Sequence, residues 1–156
     1  MEHRMREFSL TEQETQALLA NSQWGVLATV DQEGAPYAVP VYYMIVEGRV
    51  YFHGLPRGEK LSNIRRDDRV CLTVAEHVGV MDQAESPCDA DAAYRCVVVR
   101  GRAHLVEDAA EKRRALEQVI QKYTPLLMGR ELTEARVQGT AVVCIQPEEI
   151  TGKYHR

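Results

Sequence analysis

Apolar residues along this chain gather in short runs separated by clusters of turn-forming residues, a layout that predicts several strands and few helices. From Trp24 to Val30 the run WGVLATV is apolar and β-prone. Asp31-Gln32-Glu33-Gly34 then supplies a turn before APYAVPVYYMIV resumes an extended pattern. Glu47-Gly48 makes the next reversal and RVYFH returns, so three strands form an antiparallel meander. VCLTVAE, YRCVVVRGRAHLVE and TAVVCIQP predict further strands, with ITGKYHR as a short extended tail. Pro36 and Pro40 cannot donate ladder hydrogen bonds, which places the second strand at an edge or bulge and leaves backbone groups available there for a ligand. Gly101, inside the fifth strand, marks a bulge or a close backbone approach.

Three segments carry helical signals. Ser9 followed by Glu12 has the pattern of a capping box and predicts a helix over about residues 10–21. Gly54, Pro56 and Gly58 make a loop, after which Leu61 and Ile64 stand at helical spacing, so the loop passes into a short helix. Asp108 and Glu111 repeat the capping-box pattern. Leu116, Val119, Ile120 and Tyr123 follow at i, i+3, i+4, i+7, predicting a helix over 108–123 with one buried stripe. Residues 77–92, with Gly79, Pro87 and acidic residues near Cys88, read as an exposed variable loop. Trp24 is expected in the core, and Tyr42 and Tyr43 in barrel and interface packing. Strands and helices do not alternate as a parallel sheet requires, so the fold class is mainly β with α, a closed or nearly closed antiparallel barrel.

The 156 residues fit one domain, 1–156, with 45% hydrophobic and 27% charged residues and apolar runs far too short to span a bilayer. The opening MEHRMREF carries both signs of charge and leads into no apolar stretch like that of a secretory signal, so the expected location is cytoplasmic. Cys71, Cys88, Cys96 and Cys144 are scattered without a CxxC pair and read as reduced thiols. A formal net charge of −4 gives no bulk attraction to nucleic acid, yet leaves room for a local basic site. His3, His77, His104 and His155 have no metal-ligand spacing, so no metal is expected.

Candidate chemistry concentrates in His53-Gly54-Leu55-Pro56-Arg57-Gly58-Glu59-Lys60, where two cations and two glycines lie between a strand end and a helix start. Free N–H groups at the helix start, close approach over glycine, and the charges of Arg57 and Lys60 together suit a phosphate. The spacing is not that of a P-loop, and no GxGxxG occurs. A solvated surface loop is the plainer alternative.

The order of these motifs resembles the pyridoxamine-5′-phosphate-oxidase-like flavin-binding proteins, most closely their nitroimidazole-resistance type. The features that match are T-x-D-x-x-G-x-P-x-x-x-P from Thr29 to Pro40, the YFH strand end, Gly58 with Lys60, and Tyr94-Arg95 before VVVRGRA. The later helix and the closing AVVCI and ITGK segments keep the same order, so the resemblance covers nearly the whole chain. It implies an FMN-binding split β-barrel of about six antiparallel strands with peripheral helices, working as a homodimer with FMN at the subunit interface.

By the same resemblance the FMN phosphate lies near Arg57, Gly58 and Lys60. The isoalloxazine lies along the backbone of Ala38, Val39, Pro40 and Val41, with His53 and Gly54 lining the pocket. Arg95 either reaches the site of the second subunit or forms a surface ion pair. His53 is the candidate catalytic residue, as a proton donor, or else it positions the flavin or ligand. The implied activity is that of an FMN-dependent oxidoreductase passing electrons from NAD(P)H or another reductant to a small nitroaromatic-like acceptor. Two alternatives stand beside it: a flavin-binding electron carrier, store or sensor without turnover, and a pyridoxamine-phosphate-type oxidase, for which no second cation cluster is apparent. Cys96 and residues 77–92 depart from the family's pattern, so substrate identity does not transfer.

Overall fold

A computed structural model describes residues 8–81 and 91–155. Helix α1 (Glu12–Asn21) leads into strands β1 (Trp24–Val30), β2 (Pro36–Val46) and β3 (Arg49–Gly54), followed by helix α2 (Glu59–Arg66) and strands β4 (Arg69–Met81) and β5 (Asp91–Leu105). Helix α3 (Ala109–Tyr123), a single 3-10 turn at Pro125–Leu127, helix α4 (Glu134–Gly139) and strand β6 (Ala141–His155) complete the chain. All pairings are antiparallel, and the sheet closes on itself in the order β1-β2-β3-β6-β5-β4, with β4 returning to β1.

Alternation along each strand decides which side chains fill the barrel. In β1, Gly25, Leu27 and Thr29 are buried while Trp24 and Val26 are exposed. Leu27, Tyr43, Phe52, Leu72, Val74, Val97, Val99, Val143 and Ile145 belong to the resulting interior cluster. The opposite face of β2, β3 and β6 carries a second cluster, where Met44, Tyr51, Val142 and Cys144 meet Ala115 and Leu116 of α3 and Val137 of α4. Of the stripe read from the sequence, Leu116 is buried while Val119, Ile120 and Tyr123 are half-buried, and Asp108 caps α3 by accepting the Glu111 N–H at 2.7 Å. Gly101 sits at a register shift, and a Cβ there would collide with the backbone of Gln146, as expected of a bulge with close strand approach.

Several expectations need correction. The first helix is capped by Thr11 and Glu14, not Ser9 and Glu12, because Ser9 is drawn into a bridge with Lys153 of β6. Trp24 is 55% exposed: it lies on the outward parity of β1, which no element among the described residues covers. Much of the loop expected at 77–92 is strand, since β4 runs to Met81 and β5 starts at Asp91. The remainder, with Cys88, lies outside the described residues. The tail at 150–155 is no separate piece but the continuation of β6 along β5. Cys71, Cys96 and Cys144 are free thiols, and burial pushes the Cys96 and Cys144 groups up, keeping them protonated. Among the described residues no group of side chains is arranged to hold a metal, and no helix is long and apolar enough to cross a membrane.

Candidate functional site

The site is an opening in the barrel wall between β2 and β3. Val46 and Arg49 flank a two-residue turn in which Glu47 (φ 49°) and Gly48 (φ 76°) both adopt positive φ, the turn that a tight hairpin favours. Residues flanking such a turn form a hydrogen-bonded pair, so the even-numbered residues of β2 direct their backbone groups toward β3 and the odd-numbered ones toward β1. Pairing with β3 stops at Tyr43 opposite Phe52, whereas pairing with β1 continues from Tyr42 to Pro36. Ala38, Pro40 and Tyr42 therefore present backbone groups to a side where no strand among the described residues meets them. Pro36 and Pro40 fall on this same parity, which explains how the strand tolerates them: their missing N–H groups point to the open edge. Val39 and Val41 direct their backbone groups to β1, and Val41 buries its side chain.

Across the opening, His53 shares the parity of Arg49 and Tyr51, so its backbone faces the gap, while Gly54 pairs with Ala141 of β6. The His53 side chain is exposed in surface area, yet partial desolvation still pushes its imidazole below the ordinary value of 6.5. The chain then runs through the Leu55–Gly58 loop into α2. Gly58 stands at the N-cap with φ 136°, a conformation that favours glycine, and it has no side chain to cap the free N–H groups of the first turn. A Cβ on Gly54 or Gly58 would meet no atom within 4 Å, so both border open space.

The cations of α2 and of the loop before it differ from those further on in the chain, and Arg65 of α2 donates to the Pro56 carbonyl at 3.5 Å. Arg66 donates to the Val30 carbonyl at 2.7 Å and to Asn63 Oδ1 at 3.1 Å, anchoring α2 to β1, where buried Asn63 bonds Thr29 at 3.0 Å. Arg69 is held by Asp67, and Arg102 by Asp68 and Glu148. Among the described residues Arg57 and Lys60 have no such ion pair. Two cations without a carboxylate, beside an uncapped helix start and two unobstructed glycines, suit a phosphate.

On the other flank, Trp24 and Tyr42, the latter 62% exposed, line a cavity of about 360 Å³ with Pro40 and Val41. Trp24 also borders a cavity of about 460 Å³ reaching Thr73, Glu76 and Arg95. Arg95 is set apart from the phosphate end and pairs with Glu76 at 2.7 Å on the neighbouring strand. Ala38 and Pro40 lie on the unpaired stretch of β2, His53 and Gly54 at the end of β3, and Arg57, Gly58 and Lys60 where the chain passes into α2, while Arg95 lies on β5 beside Glu76. Sequence reasoning missed Trp24 and the exposure of Tyr42. The signal was their position opposite one another, visible only once the register was known.

A closed ring of six antiparallel strands split between β2 and β3 is the split-barrel fold. The family model described as pyridoxamine 5′-phosphate oxidase matches residues 11–154, and the chain belongs to that family. A 5a,11a-dehydrotetracycline/5a,11a-dehydrooxytetracycline reductase from Streptomyces rimosus is 31% identical over 95 residues, 58% of this chain and 61% of the relative. The match thus spans about three-fifths of that relative's length. Among solved structures, a candidate 5-nitroimidazole antibiotic resistance protein from Bacteroides thetaiotaomicron superposes with a TM-score of 0.80 at 24% identity, over 92% of this chain and 84% of that one. A FAD-binding protein from Mesorhizobium loti gives 0.67 at 26% identity, over 95% and 97%.

Proposed function

We propose that this protein is a homodimeric FMN-dependent reductase that passes electrons to a small planar organic acceptor, a nitroaromatic compound being the favoured example. The observation that carries the reading is the edge of β2 left unpaired by β3, together with the short loop that leads from the end of β3 into the uncapped, cationic start of α2. FMN matches both ends: its ring has polar edge atoms for the backbone of Ala38, Pro40 and Tyr42, and its phosphate suits Arg57, Lys60 and the first N–H groups of α2. When bound, the flavin supplies two-electron transfer between a reduced nicotinamide, or another donor, and the acceptor. Reducing a nitro group to a nitroso group consumes two electrons and two protons and releases water.

The chain's own residues bind and orient. Desolvation lowers the His53 imidazole below its ordinary value, and in this reading His53 positions ligands while the protons come from solvent. Apolar Trp24, Val26, Val78 and Val80 stand exposed on β1 and β4, a surface that a second copy of the chain would cover. Reductase activity in the Streptomyces relative agrees with this reading.

The test is the visible absorption spectrum of the purified protein before and after adding FMN and desalting, followed by anaerobic turnover with NADH or NADPH and a nitroaromatic acceptor. Retained flavin bands and catalytic loss of the acceptor are expected, with light scattering giving twice the chain mass of 17.7 kDa. A protein that retains flavin but shows no turnover would instead be a carrier or store.

A further inference from the structure

Strand β2 changes partners between Tyr42 and Tyr43, and the last turn of α3 grips it at that point. The β1–β2 ladder ends at Trp24 opposite Tyr42. By the same parity the next hydrogen-bonded rung would join Gln23 to Tyr43. The hydroxyl of Tyr123 fills that rung. It accepts the Tyr43 N–H at 3.0 Å, and its one proton lies between the carbonyls of Tyr43 at 2.5 Å and Gln23 at 2.7 Å. Burial pushes the phenol pKa up, so the proton stays in place at neutral pH.

Neighbouring groups reinforce the grip. Lys122 donates to the Tyr43 carbonyl at 3.1 Å and stands 4.4 Å from the Tyr43 ring centroid. The Tyr123 ring meets the Tyr42 ring edge-on at 5.1 Å. On its other side Tyr43 donates its hydroxyl to the Leu19 carbonyl at 2.6 Å, tying α1 into the same node. Tyr42 is the first residue of the open edge, so whatever fixes Tyr43 also fixes where that edge begins.

We propose that Tyr123 is a positioning residue: its hydroxyl replaces a missing strand rung and thereby sets the open edge of β2 against the cofactor. The part concerning the cofactor rests on the flavin reading above, whereas the rung itself does not. Tyr123→Phe removes only the hydroxyl and keeps the ring on Tyr42. Amide exchange of the flavin-free variant should then be about tenfold faster at Tyr43, and FMN should bind about tenfold more weakly with a shifted visible band. Val119→Ala, one turn earlier on α3 and packed against the second cluster, is the matched destabilised control, expected to speed Tyr43 exchange no more than that of the other core amides and to leave the FMN affinity and spectrum unchanged.

Unchanged Tyr43 protection in Tyr123→Phe would overturn the rung. Faster exchange with unaltered FMN affinity and spectrum would overturn the positioning role, as would an equal FMN loss in Val119→Ala. Failure of the unmodified protein to bind FMN would instead remove the flavin reading, and Tyr43 exchange alone would then decide the rung.

Discussion

The two halves of β2 have the same backbone and opposite circumstances. Tyr43–Val46 lies paired with β3, with Tyr43 in the barrel interior and Met44 beneath α3. Pro36–Tyr42 has β1 on one side and, among the described residues, no strand on the other, and carries both prolines of the strand. The sealed half pairs with β3 and contributes burial. The open half keeps backbone groups in reserve. One strand therefore serves as both core and binding edge, and the division falls where Tyr123 substitutes for a ladder partner. On the proposed reading, binding capacity comes from pairing withheld along this strand.

The contrast should break most severely on the sealed side. Phe52, opposite Tyr43 and 1% exposed, fills the barrel interior, so Phe52→Ala should cost about 3–5 kcal/mol and lower the Tm by roughly 10 °C or more, read by thermal unfolding. The open side should respond in affinity and not in stability. Arg57→Ala combined with Lys60→Ala should weaken FMN binding by about 100-fold while leaving the flavin-free Tm almost unmoved. Full FMN affinity in that double variant would remove the phosphate assignment.

A smaller effect concerns pH. His53 holds its proton less tightly in the folded state than its ordinary value of 6.5, so the unfolded chain binds more protons between the two values. Its contribution to stability is complete above about pH 6.5 and is lost as the pH falls through the lower folded value. His53→Asn should accordingly flatten the decline in Tm between pH 7 and pH 5, measured by calorimetry. Least affected of all should be Arg95→Ala, which breaks an exposed pair with Glu76 and should shift stability by no more than about 0.5 kcal/mol. A tenfold loss of FMN affinity there would place Arg95 in the partner's site.

Much of the local structure was legible because it depends on neighbours in the chain. The Glu47-Gly48 reversal, the Asp108 cap with its apolar stripe on α3, and the close approach at Gly101 each follow from a few adjacent residues. The prolines likewise announced an edge. What was misread depended on distant partners. Ser9 has a good capping pattern, but β6 claims it through Lys153, and Thr11 caps in its place. Trp24 has a core residue's chemistry, but its parity in β1 turns it outward.

The sequence by itself therefore determined the six strands, the barrel class and the cationic, glycine-bordered helix start at Arg57–Lys60, because turn residues, capping patterns and apolar runs act over a few positions. Only the tertiary structure decided which backbone groups of β2 face the opening, that Arg95 is spent on Glu76, and that Tyr123, 80 residues from Tyr43, completes its ladder. Register, strand order and long-range hydrogen bonds are fixed when the sheet closes, and barrel closure is a property of all six strands at once.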